Sequence, residues 1–292
     1  LTQPVRALLS TGKSKIYFTW HYAFVKNSLT SAIIITATVI TYKALTVPKS
    51  KKYVVETIEA NSKGYIKVGI ISDAQLPQEE KNLYGWDYAT VMNGADHLIK
   101  ALKYYKSQNV DMIVFNGDMV NATGDYAAYS AYNKILDYVY GEDRAEAPHI
   151  IYPMGNHEFY GGNQEHNFYK STGLPLNTRT IVNGYSFISI SNSKLEKGDE
   201  ELAESNDTLA DGTYNEKRIE FLKEQLAAAN TEDPNKPIFV FIHMPISNIV
   251  NGGHWATPQY EEIYSILKEY PQAVVFTGHS HYCMSDERAI MQ

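Results

Sequence analysis

Short apolar runs alternate with longer stretches whose apolar residues recur every three or four positions. Tyr65–Ile71 (YIKVGII), Val110–Phe115 (VDMIVF), Pro148–Met154 (PHIIYPM), Pro237–Ile242 (PIFVFI) and Gln272–Phe276 (QAVVF) read as buried strands. Between them, Asp87–Gln108 places Tyr88, Val91, Met92, Ala95, Leu98, Ile99 and Leu102 at helical spacing, with Lys100, Lys103 and Lys106 off that face. Tyr126–Tyr140 predicts a second helix. Ile181–Ile190 reads as a hairpin or bent strand pair around an Asn183-Gly184 turn. Lys194–Gly212 is polar and acidic and reads as a loop. Thr213–Glu216 has the form of a capping box before a helix carrying Ile219, Leu222 and Leu226. Thr257 caps and Pro258 opens a last helix, to about Glu269. Strands alternating with helices predict an α/β sandwich with the helices outside.

The first 55 residues break this pattern. They contain no Asp or Glu, but carry Arg6, Lys13, Lys15, Lys26, Lys43, Lys49, Lys51 and Lys52. Within them, Leu29–Val47 is apolar or hydroxylic except for Lys43, close to the ~20 residues of a membrane span. We read 1–52 as a basic N-terminal segment with a transmembrane anchor over 29–47. Residues 53–292 then form the catalytic domain, held outside the cytoplasm. The β-formers Val, Ile and Thr in that run support the alternative of a buried strand or helix. Residues Pro48–Lys52 (PKSKK) read as a linker. The chain opens on Leu1 and stops at Gln292, soon after its last motif, and reads as a fragment of a longer protein.

The net charge of −7 argues against general affinity for nucleic acid. The single Cys283 excludes an internal disulfide framework and a thiolate metal cluster.

Five of the strands end in residues of one chemistry: Ser72-Asp73-Ala74-Gln75, Gly117-Asp118, Gly155-Asn156-His157-Glu158, His243, and Gly278-His279-Ser280-His281. Ligands at strand ends converge on one edge of a sheet. Asp118, with two carboxylate oxygens, is the candidate bridge between two cations. Asp73 and Gln75, like His279 and His281, are alternate residues that one turn can aim the same way. Asn156 offers an amide oxygen and His243 an imidazole. His157 then sits beside the metals as a candidate proton donor. Glu158 is read as fixing the turn or pairing with a nearby His. Two divalent cations against Asp73, Asp118 and a bridging hydroxide leave about one positive charge, which draws an anion. Paired metals also activate water for in-line displacement. Phosphoesters fit this chemistry, and so does hydrolysis of an amide or pyrophosphate bond. A metal-binding surface protein of little activity is the remaining alternative.

In this order the motifs resemble those of the calcineurin-like metallophosphoesterases, over about residues 66 to 292. The resemblance implies a two-sheet sandwich flanked by helices and hydrolysis of phosphomonoesters or phosphodiesters. It implies one metal on Asp73, Gln75, Asp118 and His281, and a second on Asp118, Asn156, His243 and His279. It also implies a metal-bridging hydroxide as nucleophile and His157 as proton donor. The chain departs from the commonest family pattern in carrying Gln75 where a His is usual. Oxygen-rich coordination there favours Mn²⁺, with Fe or Zn as alternatives. Asn121 stands at a position that is often acidic, so the partner that orients His157 is open. The family domain usually continues past the last His pair, so a C-terminal truncation is expected. Tyr160-Gly161-Gly162 and Gly252-Gly253-His254-Trp255 are candidate pocket-lining loops.

Overall fold

The structure, a computed structural model, describes residues 5–11, 14–24, 33–42, 49–61, 64–76, 88–121, 126–159, 164–193, 212–246, 257 and 259–281. The chain divides into two compact units, Leu1–Thr46 and Val47–Gln292.

The first unit is an antiparallel meander of β1 (Val5–Thr11), β2 (Ser14–Phe24) and β3 (Ile33–Tyr42). The helical span expected over Leu29–Val47 is absent from its described part, because Ile33–Tyr42 is paired along its length with β2. Eight of its ten residues are β-branched, and these favour the pleated backbone. No helix among the described residues is long and apolar enough to cross a membrane.

In the second unit a helical turn, α1 (Lys49–Lys52), takes the place of the expected linker and leads directly into β4 (Tyr53–Ile58). There follow β5 (Val68–Ile71), α2 (Tyr88–Gln108), β6 (Met112–Phe115), α3 (Tyr126–Tyr140), β7 (His149–Ile151) and α4 (Gln164–Thr172). The chain continues through β8 (Asn177–Val182), β9 (Tyr185–Ile190), α5 (Glu216–Glu232), β10 (Ile238–Ile242), α6 (Tyr260–Leu267) and β11 (Ala273–Phe276). The cap of α5 is Asn215, whose side chain accepts from the Arg218 N–H. Thr213, expected in that role, donates its hydroxyl to the Ser193 carbonyl instead.

Strands β5-β6-β7 form one parallel sheet, and β11-β10-β9-β8-β4 a mixed one in which only β8 and β9 pair antiparallel. Alternation along each strand separates the core into three layers. On β6, Met112 and Val114 meet Phe187 and Phe241 of the other sheet, while Ile113 and Phe115 face Leu98, Leu102, Ile135 and Leu136 of the helices. On β10, Ile238, Val240 and Ile242 face Ile219, Leu222, Leu226 and Ile263. Both faces of these strands are covered, which is why they read as unbroken apolar runs. The larger sheet lines this layer with rings stacked on one another, Phe187 on Phe239 at 4.9 Å and Phe241 on Phe276 at 5.0 Å, and Met112, Val114 and Ile151 of the smaller sheet pack against them. Behind the smaller sheet, Phe115 packs edge-on against Tyr132 and Tyr152.

Phe115 is fully enclosed in that aromatic layer. Phe115→Ala should therefore lower the unfolding free energy by about 3–5 kcal/mol, seen as a lower denaturant midpoint at unchanged slope. A loss below about 1 kcal/mol would mean that the layer closes over the gap and is not packed as described.

Candidate metal centre

Each predicted ligand follows the C-terminal end of a parallel strand: Asp73 and Gln75 after β5, Asp118 after β6, Asn156 after β7, His243 after β10, His279 and His281 after β11. The first two turns are laced together by Asp73 N–H to the Gly117 carbonyl (3.1 Å), Gln75 N–H to Asp118 (2.9 Å) and Leu76 N–H to Met119 (2.8 Å). The last two are tied by Gly278 N–H to the His243 carbonyl (2.8 Å).

The side chains converge. Ligand atoms of Asp118, His243 and His279 lie within 4.8 Å of one another. Asp73 Oδ1 stands 3.2 Å from His281 Nε2 and 3.9 Å from His243 Nε2. The Gln75 amide lies 3.1 Å from His281 Nε2 and 3.3 Å from His157 Nε2. A half-turn of that amide presents its oxygen at the same place. Asn156 is buried in its turn, and His281 is the most open of the set.

The backbone there is bent into an unusual form. Asp73 (φ 58°), Gln75 (43°), Asp118 (53°), His279 (65°) and His281 (53°) are all left-handed. They are five of the eight such non-glycine residues among those described. Each costs on the order of 1–2 kcal/mol relative to ordinary backbone. Glycines make the close approaches possible. A Cβ on Gly155 would overlap Asp118 Oδ1 and stand 2.8 Å from His243 Cδ2. One on Gly278 would overlap Ser72 Oγ and stand 2.7 Å from Asp73 Oδ2.

The donor set fits a cation on one observation. His243 and Asp118 are wholly buried, and His243 Nε2 lies 3.0 Å from Asp118 Oδ2. Nδ1 of His243 donates to the Asn116 carbonyl (2.8 Å), so the neutral ring turns a bare lone pair toward the carboxylate. Neither atom makes a hydrogen bond among the described residues. Two lone pairs so close require a positive charge between them. By itself the protein meets this by proton uptake. Burial would lower the His243 pKa, but Asp118 and Asp73 outweigh it and raise it to about 10. A divalent cation supplies positive charge at the same place. His279, partly buried and beside His243, is lowered to about 4 and keeps its lone pair available.

The sequence model of calcineurin-like phosphoesterases matches residues 66–283. The chain belongs to that family. It is thus a metal-dependent phosphoesterase from a family of dinuclear metal-binding proteins. Among solved structures, a dimetal phosphatase from Danio rerio is similar in fold, with 17% identity and a TM-score of 0.53. The likeness covers 74% of this chain and 82% of that one. No curated protein matches the chain.

Two features of this phosphoesterase site were open in the sequence. The first is the partner of His157. Its Nδ1 meets the backbone carbonyl of Asn121 (2.5 Å), so the ring is oriented without an acidic side chain at position 121. Its backbone N–H also donates to Asp118 Oδ1 (2.8 Å). The second is Glu158, which pairs with no histidine among the described residues. Wholly buried, it accepts from the N–H groups of Asp118 (2.9 Å), Met119 (2.9 Å) and Gly155 (2.8 Å) and from the Tyr152 hydroxyl (2.6 Å). Burial and the nearby Asp118 push its pKa up, and the four donors oppose that push. Sequence reasoning missed Asn116, which carries no metal-ligand signature, and Tyr152, which reads only as core. The pocket loops at Tyr160–Gly162 and Gly252–Trp255 lie outside the described residues.

Glu158 joins the Asp118 turn to the Asn156 turn. Glu158→Gln replaces two acceptor sites with donors and should cost about 3 kcal/mol of stability. A thermal melt compared with wild type measures it. An unchanged melt would remove Glu158 from this role.

Proposed function

We propose that this chain hydrolyses phosphoesters at a pair of divalent cations. One is held by Asp73, Gln75, Asp118 and His281, the other by Asp118, Asn156, His243 and His279. The single observation that carries this reading is the buried Asp118 carboxylate facing the bare Nε2 of His243 at 3.0 Å, where a cation resolves the repulsion. When bound, such a pair supplies an activated water and polarises the phosphoryl oxygens.

The residues supply the rest. Asp73 and Asp118 offset about half of the charge of two divalent cations, so net positive charge remains to attract the anionic ester. The fixed turns hold the ligands in place before substrate arrives, so little reorganisation opposes the reaction. His157 stands beside Asp118, with Nε2 3.9 Å from Asp118 Oδ2. Its Nδ1 is committed to the Asn121 carbonyl, so the transferable proton is the one on Nε2. As water oxygen bonds to phosphorus and the ester P–O bond breaks, that proton passes to the leaving oxygen. The products are an alcohol and a phosphate, with His157 neutral until it is reprotonated. Oxygen donors from Asp73, Gln75 and Asp118 favour Mn²⁺ at the first site over softer ions.

His157→Ala should keep both ions and slow hydrolysis by about 10²–10⁴-fold, most for poorly acidic leaving groups. A series of aryl and alkyl phosphates read against leaving-group pKa checks it. An equal loss across the series would refute proton donation. Asp118→Ala should lose at least one ion from protein dialysed against Mn²⁺, and elemental analysis measures this. Two tightly held ions in that variant would refute the bridging role.

A further inference from the structure

Asn116 belongs to no ligand set, yet it contacts the exits of four of the strands that build the site. It follows β6 and is 1% exposed. Its side-chain Nδ2 donates to the carbonyls of Phe276 (3.2 Å) and Ile242 (3.4 Å), the last residues of β11 and β10 in the opposite sheet. Its backbone carbonyl accepts from His243 Nδ1 (2.8 Å) and from the Ser72 hydroxyl (3.0 Å), and that hydroxyl also meets Asp73 Oδ2. Its backbone N–H donates to Ile71 (2.7 Å). One residue thus joins the exits of β5, β6, β10 and β11. The remaining turn, after β7, is joined by Glu158.

The amide is held in this orientation at a cost. Asn116 Oδ1 is buried and has no hydrogen-bond partner among the described residues. Turning the amide over would aim that oxygen at two carbonyls. An apolar side chain would avoid the unpaired oxygen but would leave both carbonyls without a donor. A short side chain with two N–H groups is what this junction uses, and among the amino acids Asn supplies it.

We propose that Asn116 is a positioning residue that locks the two sheets in register at the metal centre. In doing so it sets the affinity for the ion taken by Asp118, His243 and His279. The inference rests on the two-metal reading. Asp118 arrives from one sheet, and both histidines arrive from the other. Their spacing is therefore a spacing between sheets. Apolar contacts between the sheets are non-directional, whereas two hydrogen bonds from one amide fix a position.

The test uses the full chain with Asn116→Leu, of similar size without donors, and Asn116→Asp, of the same shape with an oxygen facing the two carbonyls. Phe187→Leu, in the inter-sheet layer, serves as a control for general loosening. Mn²⁺ is titrated calorimetrically at 25 °C, and each melting temperature is recorded. Wild type should take up two ions. Both Asn116 variants should bind one of them about 10–100-fold more weakly, the usual effect of removing a group that orients a ligand. The control should melt earlier with unchanged affinity. If the two variants do not fold, Asn116→Ser, which keeps one short donor, is read in the same way. Wild-type affinity in the folded Asn116 variants, or an equal loss in Phe187→Leu, would overturn the inference alone. Failure of the wild type to bind two ions would overturn the two-metal reading and this inference with it.

Discussion

Asp118 and His243 face each other 3.0 Å apart, both without exposure to solvent, and each comes from a different sheet. A carboxylate is expensive to bury, and its partner's Nε2 can face it only by carrying a proton or by sharing a cation with it. Positive charge is therefore built into the requirements of the fold. The rest of the centre follows from it. Burial works against ionisation of Asp118, yet His243 and His157 beside it hold its carboxyl well below the usual range. His279 is kept neutral by burial and by the neighbouring His243. Glycine at 117, 155 and 278 clears the space in which these groups meet.

The site is also where the backbone is strained. Five candidate ligands are left-handed, none of them Gly and only two of them Asp. Such geometry persists only when the surroundings over-determine it. Here they do: the N–H groups of Asp73, Gln75, Asp118 and His279 are each spoken for, by Gly117, Asp118, Glu158 and Asp73 respectively. Strain of this kind converts folding energy into ligand placement. The side chains have little freedom left to lose when a cation or a phosphoryl group arrives.

The strands that deliver the ligands were legible because both their faces are buried. Runs such as IFVFI need no partner to be recognised. What the runs could not tell is which face meets which layer, since Phe239 and Phe241 point at one apolar environment and Val240 and Ile242 at another. Strand β4 was missed because Glu56 interrupts its apolar run, and that carboxylate is accommodated by His149 at 3.2 Å. Helix α4 was missed because its sequence, QEHNFYKST, buries Asn167 and Gln164 beside Phe168. In the N-terminal unit, length and hydropathy suggested a span, while the β-branched content that the structure follows was the better guide to Ile33–Tyr42. At the centre, residue type and spacing were enough to name the candidate ligands. The Asn121 carbonyl, the four donors on Glu158 and the reach of Asn116 across the sheets were not legible, because each depends on contacts between segments distant in sequence.

The most direct measurement is anomalous diffraction from crystals soaked in Mn²⁺, recorded on both sides of the manganese absorption edge. Two peaks are expected, about 3.5–4 Å apart. One should lie within bonding distance of Asp73, Gln75 and His281, the other of Asn156, His243 and His279, with Asp118 touching both. A single peak, or a pair that leaves Asp118 out of contact with either ion, would contradict the two-metal centre.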